Sequence, residues 1–179
     1  MQRYIALLRG INVGGKNKIS MKELKAGFEE LGFSNVVTYL NSGNVIFSSE
    51  EDDPQALVEM IQAMIKRYFS FDIAIYIIRQ TELQERLTHI PDWSGTEDKT
   101  IYDNLIFLMP SLSYEELSEK LGAPNATLEQ VFPYKDVVFW SYLRKDYQKT
   151  NWWKKTASTS VGKQITIRTI NTVREIAEL

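Results

Sequence analysis

The order strand, helix, strand, strand, helix, strand can be read twice along this chain of 179 residues. In the first half, short apolar runs bounded by turn residues predict strands at residues 3–8, 35–40, 45–49 and 73–78. Apolar side chains at helical spacing predict helices over 20–32 and from Pro54 onward. The compact arrangement known for this order is an antiparallel sheet with two helices on one face, the ferredoxin-like plait.

The same order returns in the second half. Strands are predicted at residues 105–109, 128–132, 137–143 and 164–168, and helices at 113–121, 146–156 and 173–179. A further short helix is expected in the first half around residues 81–84. The predicted fold is therefore α+β, with two ferredoxin-like (βαββαβ) plait halves that are each followed by an extra helix.

The polar, turn-rich stretch PDWSGTEDKT at residues 91–100 is the best candidate for a linker. We therefore predict a first α/β plait subdomain at 1–90, a linker at 91–103 and a second plait subdomain at 104–179. The halves share their element order without obvious sequence identity, which indicates an old duplication.

Several predicted strands are apolar at consecutive positions, as in VVFW at residues 137–140. An antiparallel sheet with one solvated face should alternate apolar with polar residues. We therefore expect both faces of each sheet to be covered. Three pairs with capping-box spacing predict helix starts: Ser20 with Glu23, Ser113 with Glu116, and Thr172 with Glu175.

Composition argues against several classes of function. The chain has no cysteine, which removes thiol nucleophiles, disulfides and thiolate metal sites. His89 is the only histidine, and no acidic cluster has the spacing of metal ligands, so we predict no metal and no cofactor. No leader sequence or long apolar run is evident, so we predict a cytoplasmic protein with no membrane partner. The sequence assigns neither a reaction nor an oligomeric state.

The segment RGINVGGKNK at residues 9–18 carries the densest functional signal. Its glycines allow positive φ angles that turn backbone amides toward one point, and Arg9, Lys16 and Lys18 add positive charge. The helix that begins near Ser20 adds the positive end of its dipole. The spacing fits neither the P-loop nor the dinucleotide fingerprint, and a structural turn with a solvated rim explains the same residues.

In a plait, the first strand–helix loop and the hairpin between strands 2 and 3 lie at the same end of the sheet. The loop at residues 9–18 and the turn at 41–44, NSGN, should therefore be neighbours. The polar side chains that would face one shallow site are Asn12, Asn17, Asn41, Ser42 and Asn44. Asn and Gly are also what such a turn requires on its own.

The segments ALLRGINVGGKNKISMKELKAGFEELGF and VVTYLNSGNVIF resemble the start of the bacterial domain-of-unknown-function family 1697. The final TIRTINTVREIAEL is similar to the closing motif of that family, with Thr169 and Ile170 where Asn and Trp are usual. The resemblance implies a two-part α/β plait and no assigned activity. It carries the family pattern onto Arg9, Gly10, Asn12, Gly14, Gly15, Met21, Ser42, Gly43, Asn44, Arg168, Asn171 and Thr172.

Together, these arguments favour a binding module for a small anionic or phosphorylated ligand at the glycine-rich loop. The residues predicted to bind it are Arg9, Asn12, Gly14, Gly15, Lys16, Ser42, Gly43, Asn44, Arg168, Asn171 and Thr172. The small, basic stretch at residues 154–163 is either a second anion contact or a plain surface loop.

The alternatives are single-stranded nucleic-acid binding, an enzyme of unidentified reaction, and a protein-interaction module. Aromatic residues on central strands serve RNA-recognition domains, and Tyr4 and Phe47 occupy such positions. Trp152 and Trp153 among lysines form a second pattern suited to base stacking, although an amphipathic helix that buries one Trp while its lysines face water is the more frequent explanation. The net charge of -2 and pI ≈ 5.6 argue against nucleic acid without excluding it.

Overall fold

The computed structural model describes all residues, 1–179. Internal contacts divide the chain into two units, one of Met1–Gln84 with Ile176–Leu179 and one of Glu85–Glu175. The sequence-based division placed a linker at 91–103, and the structure starts a strand inside that stretch, at Ile101.

The first unit contains the elements predicted for a plait. They are β1 (Gln2–Leu8), α1 (Met21–Glu30), β2 (Ser34–Tyr39), β3 (Asn44–Ser49), α2 (Pro54–Phe69) and β4 (Ile75–Arg79), with α3 (Gln80–Leu87) following. The sheet order is β2-β3-β1-β4, and every pairing is antiparallel. This order puts β1 and β3 at the centre and confirms the plait.

The second unit repeats this arrangement. Its elements are β5 (Ile101–Leu108), α4 (Tyr114–Leu121), β6 (Glu129–Tyr134), β7 (Val137–Leu143), α5 (Asn151–Ser158), β8 (Ile165–Thr169) and α6 (Ile170–Glu178). The sheet order is β6-β7-β5-β8, again antiparallel throughout. The fold is thus α+β with two similar halves.

Each sheet buries apolar side chains on both of its faces. Tyr4 and Phe47 pack with Phe28 of α1 on the helix side of the first sheet. Ile5 and Ile46, whose side chains alternate to the opposite face, are also fully buried. The expectation that both faces are covered is therefore confirmed. None of the helices combines the length and apolarity needed to cross a bilayer.

The helix predicted at residues 146–156 is wrong in its bounds. Thr150 has extended backbone angles (φ −69°, ψ 144°) and separates a 3-10 helix, Arg144–Lys149, from α5. The stretch 154–163 is accordingly not a loop, because it comprises the end of α5 and a second 3-10 helix, Ser160–Gln164.

The start predicted for the last helix is also wrong. α6 begins at Ile170, and the hydroxyl of Thr169 accepts the amide of Thr172 at 3.3 Å. Thr169 thus performs the capping that the sequence assigned to Thr172. The pattern failed because the strand β8 runs directly into the helix without a loop.

Candidate functional site: a cleft beside the glycine hairpin

Residues 12–17 fold into a small hairpin of their own. The amide of Asn12 donates to the carbonyl of Asn17 at 3.1 Å, and the amide of Lys16 donates to the carbonyl of Val13 at 3.0 Å. At its tip, Gly14 and Gly15 have φ angles of 57° and 76°. Two consecutive left-handed residues are what a type I′ turn requires, and glycine adopts that conformation without steric cost. We call residues 12–17 the glycine hairpin.

The side chain of Asn12 joins the glycine hairpin to two other segments. Its Nδ2 donates to the carbonyl of Asn41 at 2.9 Å and to that of Ile19 at 3.0 Å. Its Oδ1 accepts the amide of Ile19 at 2.9 Å. All the hydrogen-bonding capacity of the amide nitrogen is therefore used within the protein. Asn12 fixes the hairpin against the turn that follows β2 and against the residue before the cap of α1.

The β2–β3 turn packs closely on the end of β1. The amide of Leu8 donates to the carbonyl of Gly43 at 2.8 Å. A Cβ atom added to Gly43 would lie 2.8 Å from Cβ of Leu8 and 2.9 Å from Cδ1 of Ile11. Because Asn12 also bonds Asn41, the two polar turns are neighbours, as the plait topology predicted.

A cleft of about 580 Å³ opens beside the glycine hairpin. The residues that line it are Asn12, Gly15, Lys18, Ile19, Ser20, Met21 and Asn41. Lys18 is the only charged residue among them, and it is exposed. We call this space the hairpin cleft.

The N-terminus of α1 forms one wall of the hairpin cleft. Ser20 is the N-cap, and its hydroxyl accepts the amide of Glu23 at 3.4 Å. The amides of Met21 and Lys22 precede the first intrahelical bond, which Leu24 makes to the carbonyl of Ser20. Free amides, the helix dipole and Lys18 all favour a negatively charged group at this end of the helix.

Six of the residues predicted to bind a ligand lie near the cleft without lining it. Gly14 and Lys16 are exposed parts of the glycine hairpin, and Arg9 follows β1, where its amide donates to the carbonyl of Ala74. Asn44 is fully buried and donates to the carbonyl of Tyr39 at 2.8 Å and to the hydroxyl of Ser42 at 3.1 Å. Ser42, Gly43 and Asn44 therefore hold the β2–β3 turn in shape.

Three predicted residues belong to the second unit. Arg168 is buried in β8 and donates to the hydroxyl of Thr166 at 2.9 Å and to the carbonyl of Ile167 at 2.8 Å. Burial lowers the pKa of its guanidinium to about 10. Thr172 contributes to the start of α6. Asn171 is exposed and lines a different cleft, of about 430 Å³, whose other walls include Tyr102, Asp103 and Arg144.

Ile19, Ser20 and Met21 line the hairpin cleft but were not among the predicted ligand contacts. The available signal was the capping position of Ser20, since the residues around an N-cap carry the unpaired amides of a helix. Tyr4 and Phe47, considered for base stacking, are fully buried in the helix-side core and cannot receive a base.

Comparison with protein families gives a match to the model described as "Protein of unknown function (DUF1697)" over residues 1–139. The chain belongs to this family. The match includes β1, the glycine hairpin, the cleft and the β2–β3 turn, and it ends before the motif at β8 and α6.

This DUF1697 protein is similar in structure to the conserved bacterial protein SP0830 from Streptococcus pneumoniae. The TM-score is 0.85 at 28% sequence identity, and the alignment covers 99% of this chain and 97% of the other. The similarity therefore extends over both units. Comparison with curated proteins gives no match.

Proposed function

We propose that the hairpin cleft binds a small anionic or phosphorylated ligand, and that the protein is a binding module of the cytoplasm. The observation that carries the proposal is that Lys18 and the first residues of α1, Ser20 and Met21, line one space whose other lining residues are uncharged. A cysteine-free chain is compatible with the reducing cytoplasm.

Rigidity of the cleft supports the proposal. Three hydrogen bonds of the Asn12 side chain connect the glycine hairpin, the β2–β3 turn and Ile19. Walls held in place before binding lose little conformational entropy when a ligand enters. A small anion would therefore receive backbone amides, the Lys18 ammonium and the Ser20 hydroxyl without a rearrangement of the loops.

The proposal is tested by binding to the full chain of inorganic phosphate, pyrophosphate and adenosine monophosphate. Thermal shift and calorimetry are measured against potassium chloride of equal ionic strength. We expect at least one of these probes to bind, and Lys18→Ala to weaken it by roughly fivefold or more, the loss of one charge-assisted hydrogen bond of about 1 kcal/mol.

Lys22→Ala is the matched control. Lys22 is exposed on the first turn of the same helix and does not line the cleft, and its backbone amide survives the substitution. It removes the same charge and should leave the affinity within about twofold. Equal losses in the two variants, or the same response to chloride as to phosphate, would refute a specific site.

A further inference from the structure

One segment of the second unit carries a net positive charge in an otherwise acidic protein. Residues 144–163 contain six Lys or Arg and one Asp, a net of +5, whereas the whole chain carries -2. The other 159 residues therefore carry −7. The six cations are all exposed: Arg144, Lys145, Lys149, Lys154, Lys155 and Lys163. This acidic protein thus has a local excess of exposed positive charge at residues 144–163, which we call the basic segment.

Two aromatic side chains lie on the basic segment. Trp153 is 39% exposed and packs against Tyr147, with ring centroids 4.9 Å apart and planes at 87°. Its neighbour Trp152 is fully buried, and the Nε1 of Trp152 donates to the carbonyl of Gly122 at 2.9 Å. Burial of Trp152 fixes α5 on the unit, so that Trp153 is held on the surface by the helical turn itself.

Hydrogen bonds to buried residues hold the start of α5 in place. Thr150, fully buried, accepts the amide of Trp153 and donates to the carbonyl of Tyr147 at 2.8 Å. The buried carboxylate of Glu129 accepts the amides of Asn151 and Trp152 at 2.8 and 3.4 Å. These bonds set the position of the exposed Trp153 ring relative to the half-buried Tyr147, so the indole is presented in a fixed orientation.

We propose that the basic segment binds single-stranded nucleic acid, with a base stacked on Trp153 and phosphates contacted by the surrounding lysines. An exposed aromatic ring among cations is the common design of sequence-tolerant single-strand binding, because every base has a π face and every nucleotide a phosphate. Lys154 adjoins Trp153 in α5, and Lys149 precedes the helix by two residues. This activity is separate from the proposed anion site in the first unit.

Charge and shape together favour this partner over an acidic peptide. A purely electrostatic contact with carboxylates would need the lysines alone, and Trp153 would then make no specific contribution. Tyr102 adds a further, half-buried aromatic ring beside the segment, with the guanidinium of Arg144 4.4 Å from its centroid. Arginine stacked on an aromatic ring is itself a surface that accepts bases.

The test measures fluorescence anisotropy of labelled 15-residue oligothymidylate and oligouridylate with the full chain. We expect binding of one or both single strands, and the pair of probes distinguishes DNA from RNA. Trp153→Ala should weaken binding roughly tenfold or more, while Trp153→Phe should retain most of it because a stacking ring remains. Replacing Lys149, Lys154 and Lys155 with Ala should reduce the salt slope by about two.

Tyr68 supplies the matched control. It is 49% exposed in the first unit, with the guanidinium of Arg67 5.5 Å from its ring centroid, so it is also an exposed aromatic beside a cation. Tyr68→Ala should leave oligonucleotide affinity unchanged. The proposal is overturned if neither strand binds at low salt, if Trp153→Ala retains its circular dichroism spectrum and full affinity, or if polyglutamate competes as well as unlabelled oligonucleotide.

Discussion

Gly14 and Gly43 both adopt positive φ angles, 57° and 85°, but their surroundings differ. Gly14 has open space around the position of a Cβ atom, whereas Gly43 has Leu8 and Ile11 within 3 Å of it. Gly43→Ala adds a left-handed strain of about 1–2 kcal/mol to an overpacking cost of about 1–3 kcal/mol. We expect it to lower the free energy of unfolding by roughly 2–5 kcal/mol, measured by urea denaturation.

Gly14→Ala separates these two causes. It brings the same backbone strain without a steric contact, so the expected loss is about 1 kcal/mol. Gly14→Asn should cost still less, since asparagine tolerates the left-handed region. If Gly43→Ala were no more destabilising than Gly14→Ala, the close approach of the β2–β3 turn to β1 would be unimportant for stability.

At the scale of elements, the carboxylate of Glu129 connects its own strand, β6, to three other segments: the residues before β6, the strand β7 and the start of α5. In addition to the two amides at the start of α5, this carboxylate accepts the indole N–H of Trp140 at 3.0 Å and the amide of Asn125 at 2.8 Å. Glu129 is 3% exposed, and all these partners are neutral donors. Glu129→Gln turns one acceptor into a donor that faces other donors, so we expect a loss of about 1–3 kcal/mol by urea denaturation. Glu119→Gln on the exposed surface of α4 should have little effect.

Glu85 and the β6–β7 turn form a pH-sensitive contact. The hydroxyl of Tyr134, with lesser contributions from Lys135 and Arg86, holds the pKa of Glu85 at about 2, below its ordinary 4.5. A lowered pKa stabilises the fold above pH 4.5, and this contribution is lost as pH falls toward 2. Glu85→Gln should therefore lower the urea midpoint at pH 7 and differ progressively less from the parent protein below pH 4.5.

His89 lies in the same contact and must be separated from it. Its ring stacks on Tyr134 with centroids 3.9 Å apart, and its Nδ1 is 3.8 Å from the carboxylate of Glu85. The lowered pKa belongs to Glu85, so its contribution is identified by the change below pH 4.5. A difference between Glu85→Gln and the parent protein that stayed constant from pH 5 to pH 2.5 would contradict the assignment to Glu85.

Local patterns predicted some elements well and others poorly for physical reasons. Ser113 and Glu116 form the complete capping box, and Gly122 ends α4, because these contacts involve neighbours in sequence. The break at Thr150 was not predictable in that way. It depends on buried partners, among them Glu129, which is 21 residues away in sequence and supplies the acceptor at the start of α5.

At the scale of the whole molecule, sequence predicted the topology and the meeting of two turns but, among the predicted binding residues, only Asn12 and Gly15 of the cleft lining. Strand periodicity and the plait order determine which loops share an end of the sheet. The contact of residues 9–18 with residues 41–44 could therefore be predicted. The bonds of Asn12 to Asn41 and Ile19 depend on tertiary approach, and they occupy a side chain that the sequence alone offered to a ligand.

The last helix provides a test of how independent the two units are. Val173 and Ile176 are both fully buried in α6, three residues apart, yet Val173 belongs to the second unit and Ile176 to the first. Alanine at either position removes buried methyl groups, at a cost of about 1–4 kcal/mol. We expect Ile176→Ala to raise hydrogen exchange chiefly in residues 1–84, and Val173→Ala to raise it chiefly in 85–175.

Ile176 is expected to affect the first unit because the residues that follow it in the chain contact that unit. The carbonyl of Ala177 accepts the side-chain amides of Gln80 at 3.0 Å and Gln84 at 2.8 Å, and the carbonyl of Leu179 accepts the guanidinium of Arg3 at 2.7 Å. Residues near the two ends of the sequence are thereby joined within the first unit. If both variants raised exchange equally in both ranges, the two units would unfold as one cooperative body, and the duplication seen in the element order would have no counterpart in stability.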